Sequence, residues 1–174
     1  MAKYHDPAEY LAAAESPHTS AEELGNLAQS EYDFVRTAVA RHPSTPAEVL
    51  SGLLPPTLTT WNAQALTAEL AKNENTSIET LTQLGVKLVP YCREADSPRA
   101  NLQMGFEAAV RLCCNPRVPF ETIARMLKAD ATTRQFRKVV ARETSRIDVL
   151  ELLVEDRSAL VRRRARQRLT ELQR

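Results

Sequence analysis

The chain has 174 residues, 43 % of them apolar and 26 % charged, with a formal net charge of +1. That is the composition of a globular domain or one short repeat array, with no apolar run near the ~18 residues that a membrane-spanning helix requires. The opening MAKYHDPAEY lacks the apolar core of a signal peptide, so a cytoplasmic location is expected.

The first predicted helix start is Thr19-Ser20-Ala21-Glu22, followed by Leu24 and Leu27. The same phrase returns as Thr45-Pro46-Ala47-Glu48 before Leu50 and Leu53, and as Thr76-Ser77-Ile78-Glu79 before Leu81 and Leu84. It returns again as Val118-Pro119-Phe120-Glu121 before Ile123 and Met126, and as Ser145-Arg146-Ile147-Asp148 before Leu150 and Leu153. Thr or Ser with Glu three residues on is a capping box: the hydroxyl accepts from a first-turn N–H and the carboxylate reaches back to the cap. Pro46 then stands at the first helical position, where a missing N–H costs nothing. The apolar pair follows at helical spacing.

A second helical phrase follows each start, as in Val35-Arg36-Thr37-Ala38-Val39-Ala40 before Pro43. Its equivalents run 66–71, 108–113, 136–141 and 160–165. Prolines at 17, 43 and 116 separate the phrases, since proline cannot continue a helix. Leu24, Leu50, Leu81, Ile123 and Leu150 are separated by 26, 31, 42 and 27 residues. One helical hairpin per period of this length is the mark of a solenoid, in which each unit buries its apolar face only against its neighbours. The expected fold is all-α, one domain of about five two-helix units near 14–39, 40–70, 71–112, 113–140 and 141–174, with no β-sheet.

The segments RHPSTPAEVLSGLL and CNPRVPFETIARML, with the junction FVRTAVARHP, resemble the variant leucine-rich repeats, whose units read roughly N-P-x-T-P-x-x-L-x-x-L-A and then V-R-x-x-V-A. EDRSALVRRRA also resembles the related HEAT repeat. The resemblance covers about residues 14–169. It implies short helices stacked in a right-handed superhelix. A founding type of that family holds an iron–sulfur cluster on an N-terminal cysteine group. Here no cysteine precedes Cys92, so the resemblance implies no cofactor.

The long unit carries an insertion at about 87–105, KLVPYCREADSPRANLQMG, of the kind that leaves a solenoid as a loop on one face. It is either a binding loop or a tolerated surface loop. Trp61, the sole tryptophan, is expected in the core, because tryptophan is highly buried on average.

Nothing in the sequence spells catalysis. There is no G-x-G-x-x-G, no phosphate loop, no G-x-S-x-G and no H-E-x-x-H. Cys92, Cys113 and Cys114 have neither C-x-x-C spacing nor a disulfide pattern, and free buried thiols are expected. His42 occupies the slot that Asn73 and Asn115 fill elsewhere, which makes it a turn residue. The phased glutamates are helix caps. No enzyme, no metal and no cofactor is expected.

Charge is uneven: residues 1–87 hold 5 Lys and Arg against 11 Asp and Glu, residues 88–174 hold 18 against 11. Arg36, Arg137 and Arg162 share one repeat position; Arg41, Lys72 and Arg142 share another. Stacking would align each set in a column, and arginine columns suit phosphate or carboxylate. The first column has a structural alternative, the tying of one unit to an acidic turn of its neighbour. The last helix, with Arg162, Arg163 and Arg166 among its arginines, reads either as an anion-binding end or as the solvated cap of the solenoid. The expected function is a non-catalytic scaffold binding a protein or peptide. Nucleic-acid binding by the basic half is the alternative, as in helical-repeat DNA-repair glycosylases, although the isoelectric point of about 7.7 is low for it. Head-to-tail self-association is a third reading, and the oligomeric state is left open.

Overall fold

The structure is a computed structural model that describes residues 5–93, 104–130 and 132–174. Among the described residues eleven α-helices follow one another: α1 (Pro7–Glu15), α2 (Ala21–Leu27), α3 (Asp33–Arg41), α4 (Ala47–Gly52), α5 (Trp61–Leu70), α6 (Ile78–Leu88), α7 (Met104–Cys114), α8 (Phe120–Lys128), α9 (Arg134–Glu143), α10 (Ile147–Val154) and α11 (Ala159–Leu172). A 3-10 turn, Val89–Cys92, extends α6. The described residues contain no strand. Residues 94–103 of the expected insertion lie outside the described residues.

The odd-numbered helices pack in chain order, α1 on α3, α3 on α5, α5 on α7, α7 on α9 and α9 on α11. Even-numbered α6, α8 and α10 likewise follow one another. The molecule is thus a two-layer helical repeat. Its core is the one read from the sequence: Leu24, Leu27, Leu50, Leu53, Leu81, Leu84, Ile123, Met126, Leu150 and Leu153 are all buried, and all belong to one continuous apolar cluster. Helix α1 was not anticipated as a unit, although Asp6-Pro7-Ala8-Glu9 repeats the TPAE phrase. The Asp6 carboxylate caps it, accepting from Ala8 N at 2.8 Å and Glu9 N at 2.9 Å.

The role assigned to the recurring threonine is corrected. The caps of α2 and α6 are Ser20 and Ser77, one residue later than Thr19 and Thr76, and α4 begins after Pro46. Thr19, Thr45 and Thr76 are buried and donate backwards, to Ala13 O at 2.5 Å, Val39 O at 2.6 Å and Leu70 O at 2.7 Å. The last carbonyls of a helix have no partner within it. Each buried threonine therefore closes the end of the preceding odd helix rather than opening the next even one. Val118 stands at the same position and is buried without a hydroxyl to give.

A second set of side chains joins each turn to the one before. At the ladder position, Asn73 Nδ2 donates to Ala40 O at 2.8 Å and His42 O at 3.0 Å, while its Oδ1 accepts from Asn75 N at 2.9 Å. Asn115 repeats this, donating to Ala71 O at 2.8 Å and accepting from Arg117 N at 2.8 Å. His42 does the same with a ring: Nε2 meets Ser16 O at 3.0 Å and Nδ1 accepts from Ser44 N at 3.1 Å. Both contacts are made at once by the neutral tautomer with its proton on Nε2. His42→Asn should therefore be nearly neutral, whereas His42→Leu should cost about 1–3 kcal/mol by leaving Ser16 O and Ser44 N unpaired. Chemical denaturation of the two variants checks this.

Further along, the ladder changes hands. Thr144 Oγ1 accepts from Arg146 N at 3.1 Å, but a threonine is too short to reach the turn before. Arg146 makes that reach, with Nη1 donating to Asn115 O at 3.0 Å and Val118 O at 2.5 Å. Its Nε and Nη2 hold the Asp148 carboxylate at 3.0 and 2.5 Å, which keeps that carboxyl below its ordinary pKa. Arg168 Nε reaches Thr144 O at 3.1 Å in the last step.

Gly85 sets how closely α6 approaches α8: a Cβ there would overlap Thr122 Cγ2. Gly85→Ala should destabilise by about 1–3 kcal/mol despite the better helix propensity of alanine. Adding Thr122→Ser, which removes the obstructing methyl, should recover most of the loss. Thermal unfolding of the single and double variants reads it.

Candidate interaction surface

The two predicted columns have different fates. Arg36, Arg137 and Arg162 all fold back onto the connector before their own helix. Arg36 Nη1 donates to Ser30 O at 2.5 Å and the guanidinium pairs with Asp33. Arg162 Nη1 donates to Asp156 O at 2.8 Å. Arg137 Nη1 donates to Thr132 O at 2.5 Å, and its Nε lies 2.6 Å from Asp156 Oδ2. The Arg137 and Asp156 side chains are 4 % and 6 % exposed. Arg137 therefore cannot meet an outside anion as expected: it is enclosed and its donors are taken by Asp156 and Thr132. The column acts as a set of ties, and at Arg137 the tie crosses to the connector of the next unit.

Arg41, Lys72 and Arg142 are exposed, at the C-terminal ends of α3, α5 and α9. They line successive grooves between odd helices. The α3–α5 groove is bordered by Arg41, Glu69, Lys72 and Glu74. Lys72 and Glu74 also border the α5–α7 groove, whose other wall carries Arg111, Cys114 and Arg117. Arg111 continues into the α7–α9 groove, a recess of about 560 Å³ with Glu107, Arg142 and Glu143 on its walls and Phe106, Val110 and Val139 beneath. Arg111 was missed in the sequence because Cys114 holds the column position in α7. The cation sits one helical turn earlier.

This strip is not a run of one sign. Arg41 Nε is 3.6 Å from Glu69 Oε2, Arg111 Nε donates to Glu107 Oε1 at 3.0 Å, and Arg142 Nε is 2.6 Å from Glu143 Oε1. Each of these three arginines has a carboxylate beside it. Such pairs are at least partly exposed, screened and individually worth little to stability. They present alternating donors and acceptors over apolar ground.

Arg163 and Arg166 lie elsewhere, exposed on α11. Trp61 is 64 % exposed at the first position of α5, which corrects the expectation of a core plug. The apolar positions it would occupy are filled one turn later by Ala65 and Leu66. Phe34 is 45 % exposed and stacks on Tyr32 at 5.5 Å.

The groups with chemical potential are quiet. Cys92 and Cys113 are buried and Cys114 half-buried, all as free thiols. Burial pushes Cys92 up to about 12 and Cys114 up to about 11, and raises Cys113 as well, so little thiolate forms at neutral pH. Among the described residues no group of His, Cys, Asp and Glu is disposed to hold a metal ion. No described helix is long and apolar enough to cross a membrane.

No curated protein and no solved structure matches the chain. Residues 33–55, which span α3, the Thr45 turn and α4, match the family model described as leucine rich repeat variant.

Proposed function

We propose that this chain is a non-catalytic helical-repeat scaffold that binds a protein segment along the grooves between α3, α5, α7 and α9. The supporting observation is the alternation of Arg41–Glu69, Arg111–Glu107 and Arg142–Glu143 along the grooves, the last two over Phe106, Val110 and Val139. A polypeptide offers both signs of charge, amide donors and acceptors, and apolar side chains, and this strip answers all of them. A nucleic-acid backbone offers only negative charge to such a surface, and the carboxylates beside each arginine would repel it. The repeat matched at residues 33–55 is of a non-catalytic type, and the raised thiol pKa values agree with a scaffold.

The test is site-specific photocrosslinking. A benzophenone side chain at Gln135, which lines the α7–α9 groove, should trap a protein partner in cells, and one at Gln83 on α6 should not. Arg111→Glu with Arg142→Glu should abolish the Gln135 product. Equal products at both positions, or nucleic acid as the trapped species, would refute the reading.

A further inference from the structure

The two ends of the repeat carry opposite charge. Residues 5–32, covering α1 and α2, contain six carboxylates and no lysine or arginine. Residues 157–174, essentially α11, contain seven arginines and one acid, Glu171. The separation matters because α1 and α11 are the outermost described helices of the odd layer. Among the described helices, α1 packs on its odd neighbour α3 alone, and α11 on its odd neighbour α9 alone.

The charges at the basic end divide into used and unused. Arg162 and Arg168 hold backbone carbonyls, and Arg164 and Arg168 lie 3.7 and 3.3 Å from Glu171. Arg163 and Arg166 are exposed, and their guanidinium groups make no ion pair or hydrogen bond with any described residue. On a helical wheel they stand opposite the buried stripe of Val161 and Ala165, with Gln167 and Thr170 between and beside them. At the acidic end, the Glu15 and Glu22 carboxylates are exposed and likewise unpaired among the described residues, and exposed Ala8 and Ala12 share the α1 face of Glu15. The small alanines leave room for another helix to approach.

We infer that the basic outer face of α11, through Arg163 and Arg166, docks on the acidic face of α1 and α2 of a second copy of this chain, through Glu15 and Glu22. The occupant is a second copy because each surface finds its complement on the same molecule at the opposite end. An external polyanion would account for α11 and leave the wholly acidic first unit unexplained. Stacking α1 of one copy on α11 of another repeats the relation that joins α9 to α11 within the chain. Such a contact is heterologous: each copy keeps one free end of each sign, and chains grow unless the rotation closes a ring. The pairing surfaces are exposed and charged, so the association must weaken as salt shortens the Debye length from about 30 Å at 0.01 M to about 8 Å at 0.15 M. This contact is separate from the grooves between α3 and α9, and either can exist without the other.

Sedimentation velocity from 5 to 200 μM tests it, at about 0.01 M and 0.5 M NaCl. The weight-average mass should climb with concentration at low salt and return to monomer at high salt. Arg163→Glu with Arg166→Glu should be monomeric throughout, and so should Glu15→Arg with Glu22→Arg. An equimolar mixture of these two variants should regain association, because reversal on both sides restores complementarity; circular dichroism of each verifies that it folds. A wild-type monomer at 200 μM and low salt would overturn the inference, as would charge-reversed variants that associate like the parent. A monomer that binds duplex DNA with a steep salt dependence would overturn it in favour of a polyanion at the basic end.

Discussion

Asp156→Ala is expected to lower the stability of the protein by about 3–5 kcal/mol. The carboxylate is almost wholly enclosed and does three things: it takes Arg137 Nε at 2.6 Å, receives Nη2 at 3.5 Å, and accepts from Ser158 N at 2.7 Å at the start of α11. Removing it leaves an enclosed guanidinium without a counter-charge. The loss should appear in urea titration as a lower midpoint. Asp156→Asn, which keeps an oxygen for Ser158 N but not the charge, should fall between wild type and alanine. The double variant Arg137→Met with Asp156→Leu should be more stable than Asp156→Ala, because no unpaired charge remains. A single-variant loss below about 1 kcal/mol, equal to that of an exposed pair, would show that water reaches the site.

The same pair illustrates what the sequence could say. Arg36, Arg137 and Arg162 fall in one register with nothing but spacing to go on, and the structure keeps them in one role, bent onto the preceding connector. Spacing could not tell which of them would be sealed from solvent. That depends on whether an acidic residue comes from the following unit to meet the guanidinium, as Asp156 does for Arg137, across 19 residues. The apolar pairs were legible for the opposite reason: Leu81 and Leu84 are buried by any helix that puts both on one face, so no long-range knowledge is needed.

Errors came where a polar side chain has two local options. A threonine before a helix can accept from the turn ahead or donate to the helix behind, and both satisfy orphan backbone groups. Burial decides between them. Thr45 is enclosed, so its hydroxyl proton needs an acceptor, and Val39 O supplies one at 2.6 Å. The ladder through His42, Asn73 and Asn115 was half legible. Equivalent placement of His and Asn marked a turn, but the donation to the preceding unit joins residues 26 to 44 apart. The candidate surface suffered from the same blindness to partners. Arg41 and Arg142 were found as cations, but Glu69, Glu107 and Glu143, which make the strip two-signed, were not placed beside cations in it.

Leu84→Ala is expected to cost about 2–5 kcal/mol, the range for truncating a fully buried leucine whose cavity closes only in part. Its position should place it high in that range. Helix α6 packs against α7 and α8, and Gly85 beside it already seats the Thr122 and Met126 side chains of α8 at close range, leaving little freedom to collapse. In a repeat array stability is roughly the sum of unit terms and contacts between neighbours. A lesson in position follows: Leu84 lies in a central unit with a neighbour on each side, Leu27 in the first with a following neighbour among the described helices. Leu27→Ala should therefore lose less, although both leucines are buried. Leu172→Ala, at 38 % exposure near the end of α11, should change stability by less than about 0.5 kcal/mol. Urea titrations of the three variants, followed by circular dichroism, rank them. The order Leu84, Leu27, Leu172 is the one that a stack of mutually shielding units requires, and equal losses at Leu84 and Leu27 would mean that each unit buries its leucines on its own.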